Sequence, residues 1–345
     1  MNLLLSPAEI GGLNLKNRVG MSPMCTYEVK KKDGIPTPFH FTHYGSKAIG
    51  QVGLVIIEAT AVDPDGRITD YDLGLWSDDQ IDQFKQLIDH IHSLGSKVGI
   101  QLSHAGRKAK HTKRPISSTD EPFNDSYQSP HNLSTQEVSE VIHAFKEAAR
   151  RADQAGVDMI ELHGAHGYLI NQFLESATNN RTDHYGGSLE NRFNLLKEII
   201  TETKSVISLP LWVRLSASAY LPESNQNSIN NWQTVAKWLE DLDIRCLDIS
   251  TGGVVNKKPN IDIREGYQVP FAEAIKRESS IDVATVGLMQ SPELCEHVLK
   301  TNAADFILQG RALLRESNWP IHAAKVLGVD SINFYNDSYR RGFSI

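Results

Sequence analysis

Stretches of apolar and β-branched residues alternate with amphipathic stretches between residues 18 and 314. The apolar stretches predict eight strands, over residues 19–24, 53–62, 97–103, 157–163, 211–216, 245–250, 282–288 and 305–309. The amphipathic stretches predict helices over residues 78–94, 135–155, 189–206, 228–241, 271–278 and 292–301. Four serines stand where N-cap residues belong: Ser77, Ser134, Ser188 and Ser291. The chain therefore has a strand-then-helix rhythm.

This rhythm predicts an α/β protein, and specifically a single (β/α)8 TIM barrel. Continuous apolar strands, such as residues 54–57, are typical of parallel strands that are buried on both faces. The alternative is an open doubly wound sheet, which usually carries Gly-x-Gly-x-x-Gly after its first strand. The chain contains no Gly-x-Gly, and no linker divides it, so we expect one domain over residues 1–345. Residues 108–132 form the longest irregular stretch and predict an ordered loop over the barrel mouth.

Composition and charge narrow the class of protein. The chain has 345 residues, of which 40% are hydrophobic and 22% charged, as is usual for a soluble globular protein. A formal net charge of -7 argues against nucleic acid as a partner. No apolar run approaches the roughly 20 residues that a membrane-spanning helix needs, and no secretory signal is evident. Only three cysteines occur, without regular spacing, so the sequence predicts a cytoplasmic protein without a disulfide framework.

The fourth predicted strand ends in a cluster of acid–base side chains. His163, His166 and Tyr168 follow it, and barrel enzymes keep their catalytic residues at the carboxyl ends of strands. One interpretation is a metal site in which Glu161 joins the two histidines. Another is a pair of neutral hydrogen-bond donors that bind a substrate oxygen, with Tyr168 as proton donor. A noncatalytic ligand-binding barrel is a third, and this motif alone leaves all three open.

Polar residues also interrupt or follow other strands. Cys25 follows the first strand, where it is either a small buried apolar residue or a functional thiol. Gln101 and Arg214 lie within apolar strands, and a buried guanidinium needs an anion or several acceptors. The sequence predicts either a salt bridge from Arg214, to Glu58 or Glu161, or a ligand with electron-rich polar edges.

Glycines close the last two predicted strands. Gly287 lies at the end of the seventh strand, and Gly310 and Arg311 follow the eighth. Barrels often bind phosphate at these two positions, through backbone N–H groups and helix N-termini. Although both glycines could belong to ordinary tight turns, their position favours a phosphate site.

Together, these features resemble the old yellow enzyme family of flavin-dependent ene-reductases, in particular its bacterial branch of NADPH dehydrogenases. The resemblance spans essentially the whole chain. It rests on four blocks: Ser22-Pro23-Met24-Cys25-Thr26-Tyr27, residues 101–108, His163-Gly164-Ala165-His166-Gly167-Tyr168, and residues 180–192. Residues 257–260 resemble a slightly longer loop than is usual after the sixth strand.

The resemblance implies an FMN cofactor, bound noncovalently at the barrel mouth. The residues implied around the flavin ring are Ser22, Pro23, Met24, Ala59, Gln101 and Arg214. Arg214 would lie near N1 and the C2 carbonyl, and Gln101 would bond the pyrimidine edge. Cys25 would lie near N5 and O4, where its thiol tunes the flavin. Gly287, Gly310 and Arg311 would hold the phosphate.

The resemblance also implies the reaction and the partners. NADPH would reduce the flavin, which then reduces the C=C bond of an α,β-unsaturated aldehyde or ketone in a ping-pong cycle. His163 and His166 would bind the carbonyl oxygen, and Tyr168 would protonate the substrate. Tyr27 and Lys108 would shape the pocket, and no metal is implied. Arg341, in a tail over residues 330–345, would reach a neighbouring subunit of a homodimer or homotetramer that detoxifies electrophiles.

Overall fold

Eight parallel strands close into a barrel, as the strand pattern predicts. The computed structural model describes residues 2–256, 261–330 and 335–343. The barrel strands are β1 (Val19–Met21), β2 (Leu54–Ala61), β3 (Lys97–Ser103), β4 (Met159–Gly164), β5 (Leu211–Ser216), β6 (Cys246–Ser250), β7 (Asp282–Thr285) and β8 (Phe306–Gln309). Each strand pairs with the next along the chain, and β8 pairs with β1 to close the cylinder. The predicted (β/α)8 fold is confirmed.

Two strands, β1 and β7, each end three residues earlier than the apolar pattern predicts, at Met21 and Thr285 instead of 24 and 288. β1 ends at Met21 because Pro23 has no N–H to donate to the neighbouring strand, although Ser22 still donates to Gln309 O over 3.0 Å. β7 ends before Gly287 and Leu288, whose φ values of 117° and 54° turn the chain away. The residues beyond both strands therefore belong to loops at the carboxyl end of the barrel.

Helices follow the strands around the outside of the barrel. Within the described ranges the α-helices are α1 (Pro38–Ile49), α2 (Ile81–Ser93), α3 (Thr135–Ala155), α4 (Leu169–Leu174), α5 (Leu189–Lys204), α6 (Ile229–Asp241), α7 (Val269–Lys276), α8 (Pro292–Lys300), α9 (Arg311–Arg315) and α10 (Trp319–Val326). The predicted caps Ser134, Ser188 and Ser291 each accept a hydrogen bond from a first-turn backbone N–H of α3, α5 and α8.

The sequence analysis did not predict α1, α4, α9 or α10. The buried face of α1 includes His40 and Lys47, so polar residues interrupt the apolar stripe that identifies a helix. α4 and α9 have 6 and 5 residues, which is too few for a helical period to show. The predicted helix over residues 78–94 begins as a 3₁₀ turn, Asp78–Gln80, before α2.

A short hairpin closes the amino-terminal end of the barrel. We call it the amino-terminal plug: the antiparallel strands Ala8–Ile10 and Leu13–Leu15. Its buried apolar residues pack in one cluster with Trp212 and Phe306, which lie near the start of their strands. At its turn, Gly11 accepts a hydrogen bond from Trp212 Nε1 over 3.0 Å. The plug therefore lies at the end of the barrel opposite the carboxyl ends of the strands.

The remaining segments add little regular structure. The irregular stretch from 108 to 132 contains two paired two-residue strands, Ile116–Ser117 and His131–Asn132. Near the carboxyl terminus, Asp337–Phe343 forms a 3₁₀ helix. The longer loop expected at 257–260, like 331–334 and 344–345 of the tail, lies outside the described residues. None of the helices in the described part of the chain has the length and apolar content of a membrane-spanning segment. The single-domain assignment and the interface role of the tail stay predictions.

Candidate active site

The carboxyl ends of the strands surround a cavity of about 380 Å³. Its lining residues are Ser22, Pro23, Met24, Cys25, Tyr27, Ala59, Gln101, His163, His166, Tyr168, Arg214, Ser250, Gln268, Val286, Gly287, Leu288, Gly310 and Arg311. This set contains every residue that the family resemblance implied for the site, except Lys108 and Arg341. The cavity thus lies where barrel enzymes keep their active sites.

Two buried polar side chains extend from the barrel strands into the cavity. We call Gln101 and Arg214 the floor residues. Arg214 Nε lies 3.1 Å from Asp248 Oδ2, and the guanidinium donates to Ser22 Oγ over 3.1 Å. The prediction of Glu58 or Glu161 as the partner of Arg214 was wrong, because Asp248 lies directly opposite Arg214 on the next strand. Gln101 Nε2 instead donates to Glu161 Oε1 over 2.7 Å.

His163, His166 and Tyr168 form one wall of the cavity. The ring centroids of the two histidines are 5.2 Å apart, and that of Tyr168 lies 4.9 Å from that of His163. Burial lowers the pKa of both imidazoles well below the usual value, so both are neutral, and each then carries one N–H donor. Burial raises the pKa of Tyr168 well above its usual value, so the phenol keeps its proton. His163 Nδ1 is buried without a hydrogen-bond partner among the described residues.

A left-handed turn sets the position of this wall. His166 and Gly167 have φ values of 59° and 70°, and a histidine in this region is strained. Side chains bond all four backbone polar groups of the turn: His166 N donates to Ser216 Oγ (2.9 Å), His166 O accepts from Lys108 Nζ (2.9 Å), Gly167 N donates to Asn171 Oδ1 (2.8 Å), and Gly167 O accepts from Gln172 Nε2 (2.7 Å). These four bonds hold the strained turn and, with it, the rings on either side.

Cys25 and Tyr27 are held in the cavity from behind by a buried carboxyl. Glu58 accepts hydrogen bonds from the backbone N–H and the hydroxyl of Thr26, over 2.7 and 3.1 Å. Its second oxygen accepts from the Tyr44 hydroxyl over 2.8 Å. Burial, and then the negative charge of a nearby aspartate, raises the pKa of the Cys25 thiol. Cys25 is therefore a neutral thiol whose backbone is fixed by the residue that follows it.

Glycines follow β7 and β8 beside the cavity, where an added side chain would come close to a neighbouring residue. A Cβ atom on Gly310 would lie 3.1 Å from Met24 Sδ, and one on Gly287 would lie 2.9 Å from Gln268 Nε2. Gln268 Oε1 is also buried without a partner among the described residues. Bare glycine backbone, Arg311 and an unpaired amide group fit a flavin nucleotide with an anionic phosphate.

The two predicted residues outside the lining differ in their surroundings. Lys108 Nζ donates to Gly253 O over 3.2 Å as well as to His166 O, and lies 5.0 Å from the centroid of the Tyr168 ring. It thus contacts the wall of His163, His166 and Tyr168 from the side. Arg341 lies exposed in the short carboxyl-terminal helix and takes no part in the cavity of its own chain.

Sequence reasoning missed four lining residues: Ser250, Gln268, Val286 and Leu288. Ser250 could have been found, since it ends β6 as His163 nearly ends β4, and its hydroxyl lies 2.8 Å from His166 Nε2. Val286 and Leu288 are the neighbours of Gly287 in the sequence, so the rule that pointed to Gly287 could have pointed to them as well. Gln268 lies in the long connection after β6, where no motif marks it.

The metal interpretation gains no support from the arrangement of Glu161. Its Oε1 accepts a hydrogen bond from Gln101, and His166 Nε2 lies against the Ser250 hydroxyl. These atoms therefore do not converge on one position where a metal ion could bind. Over the described ranges, no group of three or more His, Cys, Asp or Glu side chains is arranged to hold a metal ion. The histidines are instead arranged with Tyr168 along one wall.

Sequence comparison identifies the family. Residues 3–329 match the profile of the NADH:flavin oxidoreductase / NADH oxidase family. The chain belongs to this family. It is therefore a flavin-dependent oxidoreductase, and FMN is the cofactor that membership implies. The predicted enzyme class is confirmed, and the glycines, the floor residues and the unpaired amide of Gln268 fit this cofactor.

Members of the family with high similarity are bacterial NADPH dehydrogenases. That of Halalkalibacterium halodurans is 49% identical over 326 residues, which is 94% of this chain and 95% of the relative. That of Bacillus subtilis is 45% identical over 327 residues, or 95% of this chain and 96% of the relative. The predicted resemblance to the bacterial NADPH dehydrogenases is confirmed.

Solved structures of the family have the same barrel. Morphinone reductase matches with a TM-score of 0.82 at 26% identity, over 97% of this chain and 93% of the reductase. Morphinone reductase in complex with tetrahydroNAD matches with a TM-score of 0.81 at 25% identity, over 96% and 94% of the two chains. In that complex the reductase binds a nicotinamide compound.

Proposed function

We propose that this family member is an NADPH-dependent ene-reductase that reduces the C=C bond of α,β-unsaturated aldehydes, ketones and related activated alkenes. The observation that carries the proposal is the wall of two neutral histidines and a protonated tyrosine beside a cavity of about 380 Å³. Two neutral donors suit a carbonyl oxygen, and a phenol suits a carbanion that needs a proton. The NADPH dehydrogenase relatives support NADPH as the reductant.

The cavity residues divide into a cofactor set and a substrate set. The proposed cofactor set is Ser22, Pro23, Met24, Cys25, Ala59, Gln101, Arg214, Gly287, Gly310 and Arg311. FMN, when bound, supplies a hydride acceptor for NADPH and a hydride donor for the alkene in a ping-pong cycle. Arg214 places positive charge beside the cofactor, and Cys25 adds a neutral thiol that tunes its reduction potential. Tyr27 and Lys108 limit the space left for the substrate.

The chain's own residues supply polarisation and the proton. N–H groups of His163 and His166 donate to the carbonyl oxygen and withdraw electrons from the β-carbon, which makes it electrophilic. The Tyr168 hydroxyl then delivers its proton to the α-carbon. Because burial keeps that proton on the phenol, Tyr168 remains a donor throughout the neutral pH range.

An anaerobic spectral titration of the purified holoenzyme tests this proposal. NADPH should bleach the oxidised-flavin spectrum, and 2-cyclohexenone should restore it. A saturated ketone, cyclohexanone, is the matched control and should leave the bleached spectrum unchanged. A protein that stays colourless after FMN is added would overturn the proposal, as would a bleached flavin that the enone fails to reoxidise.

We also propose a homodimer or homotetramer in the cytoplasm, with a broad role in detoxification of electrophiles. Arg341 is exposed and lies apart from its own cavity, which supports a role in the cavity of a neighbouring subunit. Three free cysteines support a reducing compartment. Light scattering checks the assembly, and Arg341→Ala should raise the KM for enones. One metabolite reduced orders of magnitude faster than simple enones would contradict the broad role.

A further inference from the structure

Two carboxyl groups lie next to each other inside the barrel, in contact with the floor residues. We call Glu161 on β4 and Asp248 on β6 the carboxyl pair. Both side chains are fully buried and lie within hydrogen-bonding reach of each other. Glu161 holds Gln101, and Asp248 pairs with Arg214 on the intervening strand β5. The pair thus contacts two residues that line the cavity.

The hydrogen-bond donors around the pair are too few for two ionised carboxylates. Glu161 Oε2 and both oxygens of Asp248 are buried and accept no hydrogen bond from the described residues, and Arg214 Nε contacts Asp248 Oδ2 as an ion pair without hydrogen-bond geometry. Two neighbouring like charges in a buried site strongly disfavour each other, and one proton on the pair supplies a missing donor. That proton lies on Glu161, because the ion pair with Arg214 at 3.1 Å stabilises the negative charge on Asp248.

Two other titratable groups near the pair are neutral, so they do not change the charge of the pair and Arg214. Cys246 lies two residues before Asp248, and burial raises the pKa of its thiol, which stays neutral. His163 lies two residues after Glu161 and is a neutral imidazole. Burial and the neighbouring Asp248 raise the pKa of Glu161, consistent with a protonated group. The set of Arg214 and the carboxyl pair therefore has one positive and one negative charge.

We propose that the carboxyl pair holds a single proton, on Glu161, and that the negative charge of Asp248 offsets Arg214, which lowers the reduction potential of FMN bound against the floor residues. This inference rests on the proposed function, since it requires FMN in the cavity. A cation near the pyrimidine end of a flavin stabilises the reduced anion and raises the potential, and a neighbouring anion opposes that effect. Glu161 and Asp248 are thus positioning residues that act through Gln101 and Arg214.

Reduction potentials of three holoenzymes test the proposal at pH 7: wild type, Glu161→Gln, and the double variant Glu161→Gln/Asp248→Asn. Glu161→Gln keeps a neutral donor and the charge of Asp248, so its potential should equal that of wild type. The double variant leaves Arg214 unpaired, so its potential should shift to more positive values. A double variant with the wild-type potential would overturn the proposal, as would a single variant that shifts as far as the double.

A second measurement on the wild-type protein covers the case in which the double variant does not fold. Infrared difference spectra of the holoenzyme, recorded on flavin reduction, should contain the C=O band of a protonated carboxyl. The band should be absent from Glu161→Gln. If no such band responds to reduction, the assignment of a proton to Glu161 is wrong. A wild-type protein that binds no FMN would instead refute the proposed function, so the two failures are distinguishable.

Discussion

Glu58→Gln should change how the stability of the protein depends on pH. The Glu58 side chain is fully buried and holds Thr26, and with it the cavity residues Cys25 and Tyr27. Burial raises its pKa from 4.5 to about 7, although bonds from Thr26 and Tyr44 oppose the increase. Glutamine has the same size and one of the two oxygen acceptors, but it stays neutral at every pH. The substitution therefore removes one ionisation from the folded interior.

The sign and size of the effect follow from the two pKa values of Glu58. The unfolded chain releases the proton near pH 4.5 and the folded chain near pH 7, so the folded state binds more protons between these values. The stability contributed by the protonated group is fully present below pH 4.5 and is lost as the pH rises through 7. Between pH 5 and pH 8 this loss amounts to about 2.5 kcal/mol.

Urea unfolding of both proteins at pH 5 and pH 8 measures this difference. The lost acceptor should cost Glu58→Gln about 1–2 kcal/mol at either pH, and this offset cancels when the two pH values are compared. Relative to wild type, the variant should therefore gain about 2.5 kcal/mol on going from pH 5 to pH 8. Glu140→Gln, at an exposed position of α3, is the matched control and should show no such gain. Equal pH dependence in wild type and Glu58→Gln would refute the reasoning.

Three further substitutions test other parts of the site. Tyr168→Phe should slow alkene reduction by about 10²–10⁴-fold and leave flavin reduction by NADPH unchanged in stopped-flow traces, and slowing of both steps would contradict its role as proton donor. Gln172→Leu removes the donor to Gly167 O and should lower the unfolding free energy by about 2–4 kcal/mol, as urea denaturation would show. Gly287→Ala forces a side chain into φ 117° against Gln268 and should weaken FMN retention on dialysis. Gly328→Ala is the control: its φ of 66° is also positive, but no described residue lies within 4 Å of the added Cβ, so it should lower stability alone.

The barrel could be predicted from the sequence because each of its strands is buried on both faces. Such strands appear as continuous apolar runs, and the polar residues that end them are visible as interruptions. α1 could not be predicted, since its buried face includes His40 and Lys47, whose contacts exist only in the folded molecule. The same limit applies to Asp248. Which carboxyl faces Arg214 depends on the register between β5 and β6, and no local pattern encodes that register.

The site was predictable where its residues follow a strand directly. His163, His166 and Tyr168 lie at or just after the end of β4, so the barrel rule alone points to them. Gln268 lies far along the connection after β6, and only tertiary structure brings it to Gly287. The left-handed conformation of His166 was equally hidden, because the residues that hold this turn come from three separate segments of the chain.

The amino-terminal plug has a consequence for the order of folding during synthesis. Its residues leave the ribosome before the barrel strands, yet they pack against Phe306, and Gly11 donates to Asp282, 271 residues later. At about 5–20 residues per second, the apolar side of the plug waits on the order of 15–60 s for its partners. β1 waits as long for β8, which closes the cylinder. A nascent chain paused before β8 therefore exposes two unpaired strand edges and an uncovered barrel base, which are the surfaces that a chaperone would have to protect.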